Sequence, residues 1–217
     1  MDLEMDPTSL KLKHACSAGD LDEVRRLLDA GADPNSTDEH GSGTLLTFNP
    51  TVIAYLLSRG ANPNLQTNEK GASVLAGLAY MNQLECVRIL LRAGADANRG
   101  RDSTGETPLH HALAKNEPDR GSLVKLLLDH GADPNAKTKP GMGSSNFWRD
   151  VRTRGETPLH RAAAYAPIET IKLLLAAGAD RTIRDANGDS PRGWASWHWR
   201  DRSIIDLLNP ETNDPTA

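Results

Sequence analysis

One short phrase recurs five times along this 217-residue chain. Gly31-Ala32-Asp33-Pro34-Asn35 returns as Gly60-Ala61-Asn62-Pro63-Asn64, as Gly94-Ala95-Asp96-Ala97-Asn98 and as Gly131-Ala132-Asp133-Pro134-Asn135. A shortened form, Gly178-Ala179-Asp180, closes the series. The glycines step by 29, 34, 37 and 47 residues. A unit of about 33 residues is one supersecondary element that cannot bury its apolar face alone, so neighbours must stack. Stacked repeats form an extended surface suited to holding a partner. The repeat runs almost end to end, which predicts a single domain.

The units have an internal order with a physical reading. Gly105-Glu106-Thr107-Pro108-Leu109-His110-His111-Ala112 and Gly155-Glu156-Thr157-Pro158-Leu159-His160-Arg161-Ala162 are the fullest copies. Threonine is a favoured N-cap, because its hydroxyl accepts from an orphan amide of the first helical turn. Proline follows at the first helical position, where no N–H is needed. Leucine and alanine then point to the core. A second apolar helix follows, as in Ile168, Ile171, Leu174 and Leu175 at three- and four-residue spacing. Gly178 is placed to end it in a left-handed conformation. The Asp–Pro–Asn segments beyond are turn formers.

On these residues the chain resembles the ankyrin-repeat proteins. The Thr-Pro-Leu-His-x-Ala signature is complete twice and degenerate elsewhere. The resemblance implies an all-α ankyrin-repeat solenoid of helix-turn-helix units with β-hairpin fingers. First helices and fingers would line a concave groove, and second helices the convex back. It covers residues 9–208, between an N-terminal tail at 1–8 and a C-terminal tail at 209–217. Six units are expected, starting near Leu10, Thr44, Ser73, Thr107, Thr157 and Ser190, with the first and last as caps. Asn82 stands where the family has a turn glycine, and asparagine tolerates that backbone. The polar tail after Asn209 is expected to be disordered.

Departures from the repeat are candidate functional places. Thr44 to Gly60 is 16 residues, against 21 for Ser73 to Gly94 and for Thr157 to Gly178. The deficit falls in the first helix, and Asn49-Pro50 disfavours its continuation. A stunted helix and a notch in the groove are expected, with a repeat patched by local packing as the other reading. Unit four carries three extra residues in the polar stretch 116–121. The largest break is a finger over 137–154, which holds five basic residues and one acid. It also places Phe147 beside Trp148 in a chain that is only 4% aromatic. Aromatic side chains with arginine make the composition of binding hot spots, so Phe147, Trp148, Arg149 and Arg152 are candidate contacts. The competing reading is that the two aromatics merely pin the loop.

In the family register, the fifth, eighth and ninth positions of the first helices face the groove. That assigns Tyr80, His111, Lys115, Arg161, Tyr165, Trp194 and Trp197 to the groove wall. Large amphipathic side chains of this kind dominate interface energetics. Tryptophans of a C-terminal cap can instead cover the last apolar face, and Trp199 is expected to do so.

Charge is uneven. Residues 1–136 carry net −6, residues 137–202 net +5 and residues 203–217 net −3. A positive stretch on an acidic protein suggests an anionic patch on the partner. Cys16 and Cys86 fall two units apart, about 20 Å in stacked helical layers. A disulfide needs Cα atoms within about 7 Å, so both are expected to be thiols, as in a reducing compartment. No apolar run approaches the length of a membrane span, and residues 1–8 lack a signal core. A cytoplasmic, monomeric protein is therefore expected. Asn35-Ser36-Thr37 is a formal glycosylation sequon of no consequence there.

The sequence has no phosphate loop, no His-Glu-x-x-His helix and no Cys-x-x-Cys spacing. His110 and His160 belong to the repeat signature and are expected to bond neighbouring backbone. The expectation is a non-catalytic protein–protein interaction module or scaffold. It would use the concave groove and the basic, aromatic finger, with no cofactor or metal. Nucleic-acid or anionic-ligand binding through 137–154 is the alternative, since Arg149, Arg152 and Arg154 with Trp148 could hold phosphates and stack a base. A minor alternative is an enzyme with a pocket at the second unit. Some ankyrin proteins are hydroxylated at finger asparagines, and Asn35, Asn64, Asn98 and Asn135 match those positions.

Overall fold

The computed structural model describes residues 7–37, 41–65, 73–100, 103–114, 120–143 and 152–211. Among them are eleven helices: α1 (Pro7–Ala18), α2 (Leu21–Asp29), α3 (Pro50–Ser58), α4 (Val74–Tyr80), α5 (Leu84–Arg92), α6 (Pro108–Ala112), α7 (Gly121–Asp129), α8 (Pro158–Tyr165), α9 (Ile168–Ala176), α10 (Pro191–Trp197) and α11 (Arg202–Leu207). They pack in two rows. The first-helix row runs α4, α6, α8, α10, and the second runs α2, α3, α5, α7, α9. One continuous core of leucine, isoleucine, valine and alanine lies between the rows.

The repeat signature builds the helix starts as its chemistry predicts. The backbone N–H of Thr157 donates to Nδ1 of His160 at 3.2 Å, and the Thr157 hydroxyl lies 2.9 Å from the same nitrogen. With Nδ1 accepting, the proton sits on Nε2, which donates to the Asp189 carbonyl at 3.1 Å. Thr107 and His110 repeat the arrangement, with Nε2 on the Glu156 carbonyl at 3.2 Å. Each signature histidine therefore caps its own helix and ties it to the next unit. Burial, then the Arg161 charge, depress the His110 pKa to about 3, so the imidazole is neutral.

The recurring phrase does more than turn the chain. Asn98 Nδ2 donates to the Gly131 carbonyl at 2.8 Å, and its Oδ1 accepts from Asp133 N–H at 2.7 Å. Asn35, Asn64 and Asn135 make the same two-point clasp on the following unit. Each asparagine thus buttresses the next copy of the phrase that contains it. Among the described residues, Thr182, which stands in the asparagine place of the fifth copy, bonds only back to Asp180.

The second unit departs further from the repeat than its length implied. Instead of a stunted first helix, residues 41–49 form a turn with no helix. Leu45 fills the core there. Thr47 Oγ1 donates to the Cys16 carbonyl at 2.7 Å. Asn49, read as a helix stop, is the N-cap of α3, its Oδ1 accepting from Thr51 and Val52 N–H. Local packing patches the gap.

Cys16 and Cys86 are buried and unbonded, and burial pushes the Cys16 thiol up to about 12. Among the described residues, no helix is long and apolar enough to cross a membrane. Residues 1–6 and 212–217, and with them most of both expected tails, lie outside the described residues, as do 115–119 of the unit-four insertion.

Candidate functional site

The finger's two described legs, 137–143 and 152–154, meet over a buried carboxylate. Glu156 Oε2 accepts from Thr138 Oγ1 at 2.7 Å and from Arg154 N–H at 2.7 Å. Its Oε1 accepts from Arg161 Nη2 at 2.6 Å and Nε at 3.1 Å. Arg161 Nη2 also bonds Glu106 Oε1 at 2.7 Å, and its Nη1 donates to the His110 carbonyl at 3.1 Å. Farther out, Gly141 N–H donates to the Thr153 carbonyl at 2.7 Å and Thr153 N–H to the Met142 carbonyl at 2.8 Å. An antiparallel bridge joins Gly143 to Arg152. Ala186 N–H donates to the Arg154 carbonyl at 2.6 Å, which docks the returning leg on the next finger.

This returning leg faces the C-terminal ends of α8 and α10 across a cleft of about 210 Å³. Tyr165 from α8, Trp194 and Trp197 from α10, and His198 supply the aromatic wall. Arg152 and Arg154 supply the basic rim, and Glu156 and Asp189 also line it. Trp194 is fixed on three sides. Its Nε1 donates to Asp185 Oδ2 at 3.0 Å, its ring meets His160 edge-on at 5.5 Å, and the Arg154 guanidinium lies 5.9 Å from its centroid. Tyr165 packs edge-on against His198 at 4.8 Å. Trp197 is 70% exposed.

Burial and the nearby arginines together set the electrostatics of the cleft. Burial, then Arg200 and Arg154, lower the His198 pKa, so its imidazole is neutral at neutral pH. Burial raises the Tyr165 pKa against the opposing pull of Arg154 and Arg161. Arg200 itself is committed to the fold, donating to the Ala163 and Ala166 carbonyls at the end of α8. Arg120 does the same for the preceding units, on the Ala79, Tyr80 and Ala112 carbonyls.

Of the residues expected to bind, Tyr165, Trp194, Trp197 and Arg152 are brought together here. Tyr80 and His111 form a separate edge-on pair at 6.4 Å, and His111 is buried. Arg161 is not on the groove wall. It is 0% exposed, because two buried carboxylates draw its guanidinium into the stack. Lys115, Phe147, Trp148 and Arg149 lie outside the described residues. Trp199 covers no apolar face. It is 93% exposed and holds φ at +52°, the left-handed turn conformation that Asn82 adopts in unit three.

His198 was not among the expected contacts, and Arg154 was expected only as a phosphate contact in the anionic-ligand alternative. The register did place His198 at a groove-facing position, and Arg154 belongs to the same finger. Among the described residues, no group of three or more His, Cys, Asp or Glu is arranged to hold a metal ion. The cleft offers aromatic faces and a basic rim.

Comparison with known proteins agrees with this architecture. The family description "Ankyrin repeats (3 copies)" matches residues 44–138, and "Ankyrin repeat" matches 12–39 and 154–186. The chain is similar to the mouse B-cell lymphoma 3 protein homolog, 28% identical over 194 residues, which are 86% of this chain and 39% of that protein. It is also similar to the mouse NF-kappa-B inhibitor delta, 29% identical over 197 residues, 77% of this chain and 56% of that protein. The chain spans about two fifths of the length of the B-cell lymphoma 3 relatives. In fold it resembles a chain of the solved complex of the predatory endopeptidase Bd0816 with the immunity protein Bd3460 from Bdellovibrio bacteriovorus. That likeness has a TM-score of 0.74 at 22% identity, over 96% of this chain and 100% of the other. Repeat matches along most of its length, on a fold of stacked helix pairs, place the chain in the ankyrin-repeat family.

Proposed function

We propose that this chain is a non-catalytic recognition module that holds a partner protein against its first-helix face and the 137–154 finger, with the α8–α10 cleft at the centre. The observation that carries the reading is the company Trp197 keeps. A 70% exposed tryptophan stands beside a half-buried tyrosine and tryptophan, with Arg152 and Arg154 on the rim. Aromatic and arginine anchors around a desolvated pocket are where binding energy concentrates. Relatives that support it include an NF-kappa-B inhibitor, and a fold neighbour comes from a complex of an endopeptidase with an immunity protein. Both fit a chain that acts by occupying another protein.

The test is capture from native lysate with mass spectrometry. Wild type is compared with a variant in which residues 139–152 are replaced by a short turn. A protein held by wild type and lost from the variant supports the reading. Capture of the same protein by both removes the finger from it.

A further inference from the structure

We propose that the occupant of the cleft is an acidic, extended segment of the partner, with a carboxylate on Arg154 and Arg152 and an adjacent apolar side chain against Trp197. This rests on reading the cleft as the recognition site.

The first support is a contrast among the arginines. Arg25, Arg26, Arg59, Arg88 and Arg202 each pair with a nearby carboxylate. Arg152 and Arg154, both exposed, have no carboxylate partner among the described residues. Arg152 Nη1 reaches only the Gly141 carbonyl at 3.3 Å, and Arg154 lies over the Trp194 ring. A guanidinium held over an aromatic face keeps its hydrogen-bonding fork for a planar carboxylate.

The second support is that the neighbouring acids are engaged. Glu156 spends both oxygens on Arg161, Thr138 and the Arg154 N–H. Asp185 holds the Trp194 indole with one oxygen, and the Asn187 and Asp189 amides with the other. Of the two lining carboxylates, only Asp189 has a side chain that bonds to nothing else among the described residues, so it alone stands beside the two arginines.

The third support separates an acidic peptide from a nucleic acid. Two rim arginines and a cleft of about 210 Å³ match a carboxylate and a side chain or two, not the run of phosphates that a nucleic acid presents.

The experiment is a titration of the full-length, 15N-labelled protein with acetyl-Gly-Glu-Leu-Glu-Gly-amide and with its twin carrying glutamine for glutamate. The tryptophan indole N–H signals are followed. The glutamate peptide is expected to shift the Trp194 and Trp197 signals saturably and to bind about tenfold tighter than the glutamine twin. The paired change Arg152→Gln and Arg154→Gln should remove that preference and leave the helical circular dichroism of the free protein unchanged, because both side chains are exposed. Equal binding of the two peptides, or no shift with either, overturns the proposal. So does tighter binding of a thymidine oligonucleotide than of the glutamate peptide. A protein whose capture depends on Trp197, with no preference for glutamate over glutamine, would sink this inference and leave the recognition reading standing.

Discussion

Replacing Arg161 by leucine removes a guanidinium that bridges Glu106 and Glu156. Three contacts go with it, at 2.6 and 3.1 Å to Glu156 and at 2.7 Å to Glu106, along with the bond to the His110 carbonyl. Both carboxylates are buried. Breaking a buried pair by removing one partner costs about 3–5 kcal/mol, because a charge is stranded in low dielectric. Urea unfolding followed by circular dichroism at pH 7.5 should register a loss of that size. Glu156 also gathers the finger's legs, so amide exchange should quicken over 137–143 and 152–156.

The pH dependence makes the reasoning sharper. In the wild type, burial alone would push the Glu156 pKa up, but Arg161 and the bonds from Thr138 and Arg154 N–H bring it down to about 2. A folded pKa below the unfolded value, about 4.3, gives stability that is present above that value and lost as pH falls towards 2. Without Arg161, burial dominates and the folded pKa lies above the unfolded one. That contribution is then present at low pH and lost as pH rises. Removing Arg161 also lets the His110 pKa rise, which favours the variant further in acid. The deficit of the variant should therefore shrink on going from pH 7.5 to 4.5. A deficit below about 1 kcal/mol, or one equal at both pH values, would refute the account of this network.

Three further outcomes follow from the same structure. Asn98→Ala removes both bonds of one clasp between consecutive units and should cost about 1–2 kcal/mol in urea unfolding; no loss would make the clasp ornamental. Trp199→Gly relieves a left-handed backbone and uncovers nothing, so it should raise stability by about 1 kcal/mol, seen as a higher Tm; a lower Tm would mean the ring packs somewhere after all. Burial depresses the pKa of both His110 and His160. The unfolded chain then binds more protons below about pH 6.5, and stability should fall as pH drops from there towards 3; a flat profile from pH 7 to 5 would contradict it.

The repeat and its helix starts were legible because their chemistry is local. A threonine or serine cap, a proline at the first turn and leucines at helical spacing specify themselves within a few residues. What escaped reading depends on distant partners. Arg161 stands at a position that faces the groove in the family register, yet Glu106, 55 residues earlier, helps hold it inside. The pairing had a signal, because both full units open Gly-Glu-Thr-Pro with an acid at the same place. The asparagines were read as turn formers, although one asparagine per unit in a fixed place is also what a ladder between units requires. Trp199 follows α10 as Asn82 follows α4, so the tolerance noted for Asn82 located a strained tryptophan too. In the second unit, Asn49-Pro50 signalled a break, but the same pair starts α3. The cleft was half legible. Its aromatics follow from the register, whereas Arg154 joins them only because the finger folds back over Glu156.

The most direct test is the affinity of the captured partner for Trp197→Ala against wild type, measured by calorimetry with the Tm of both recorded. Removing a 70% exposed ring should leave the Tm unchanged and weaken binding by more than about 1 kcal/mol, roughly fivefold. Unchanged affinity with an intact fold would contradict the claim that this cleft is where the chain holds its partner.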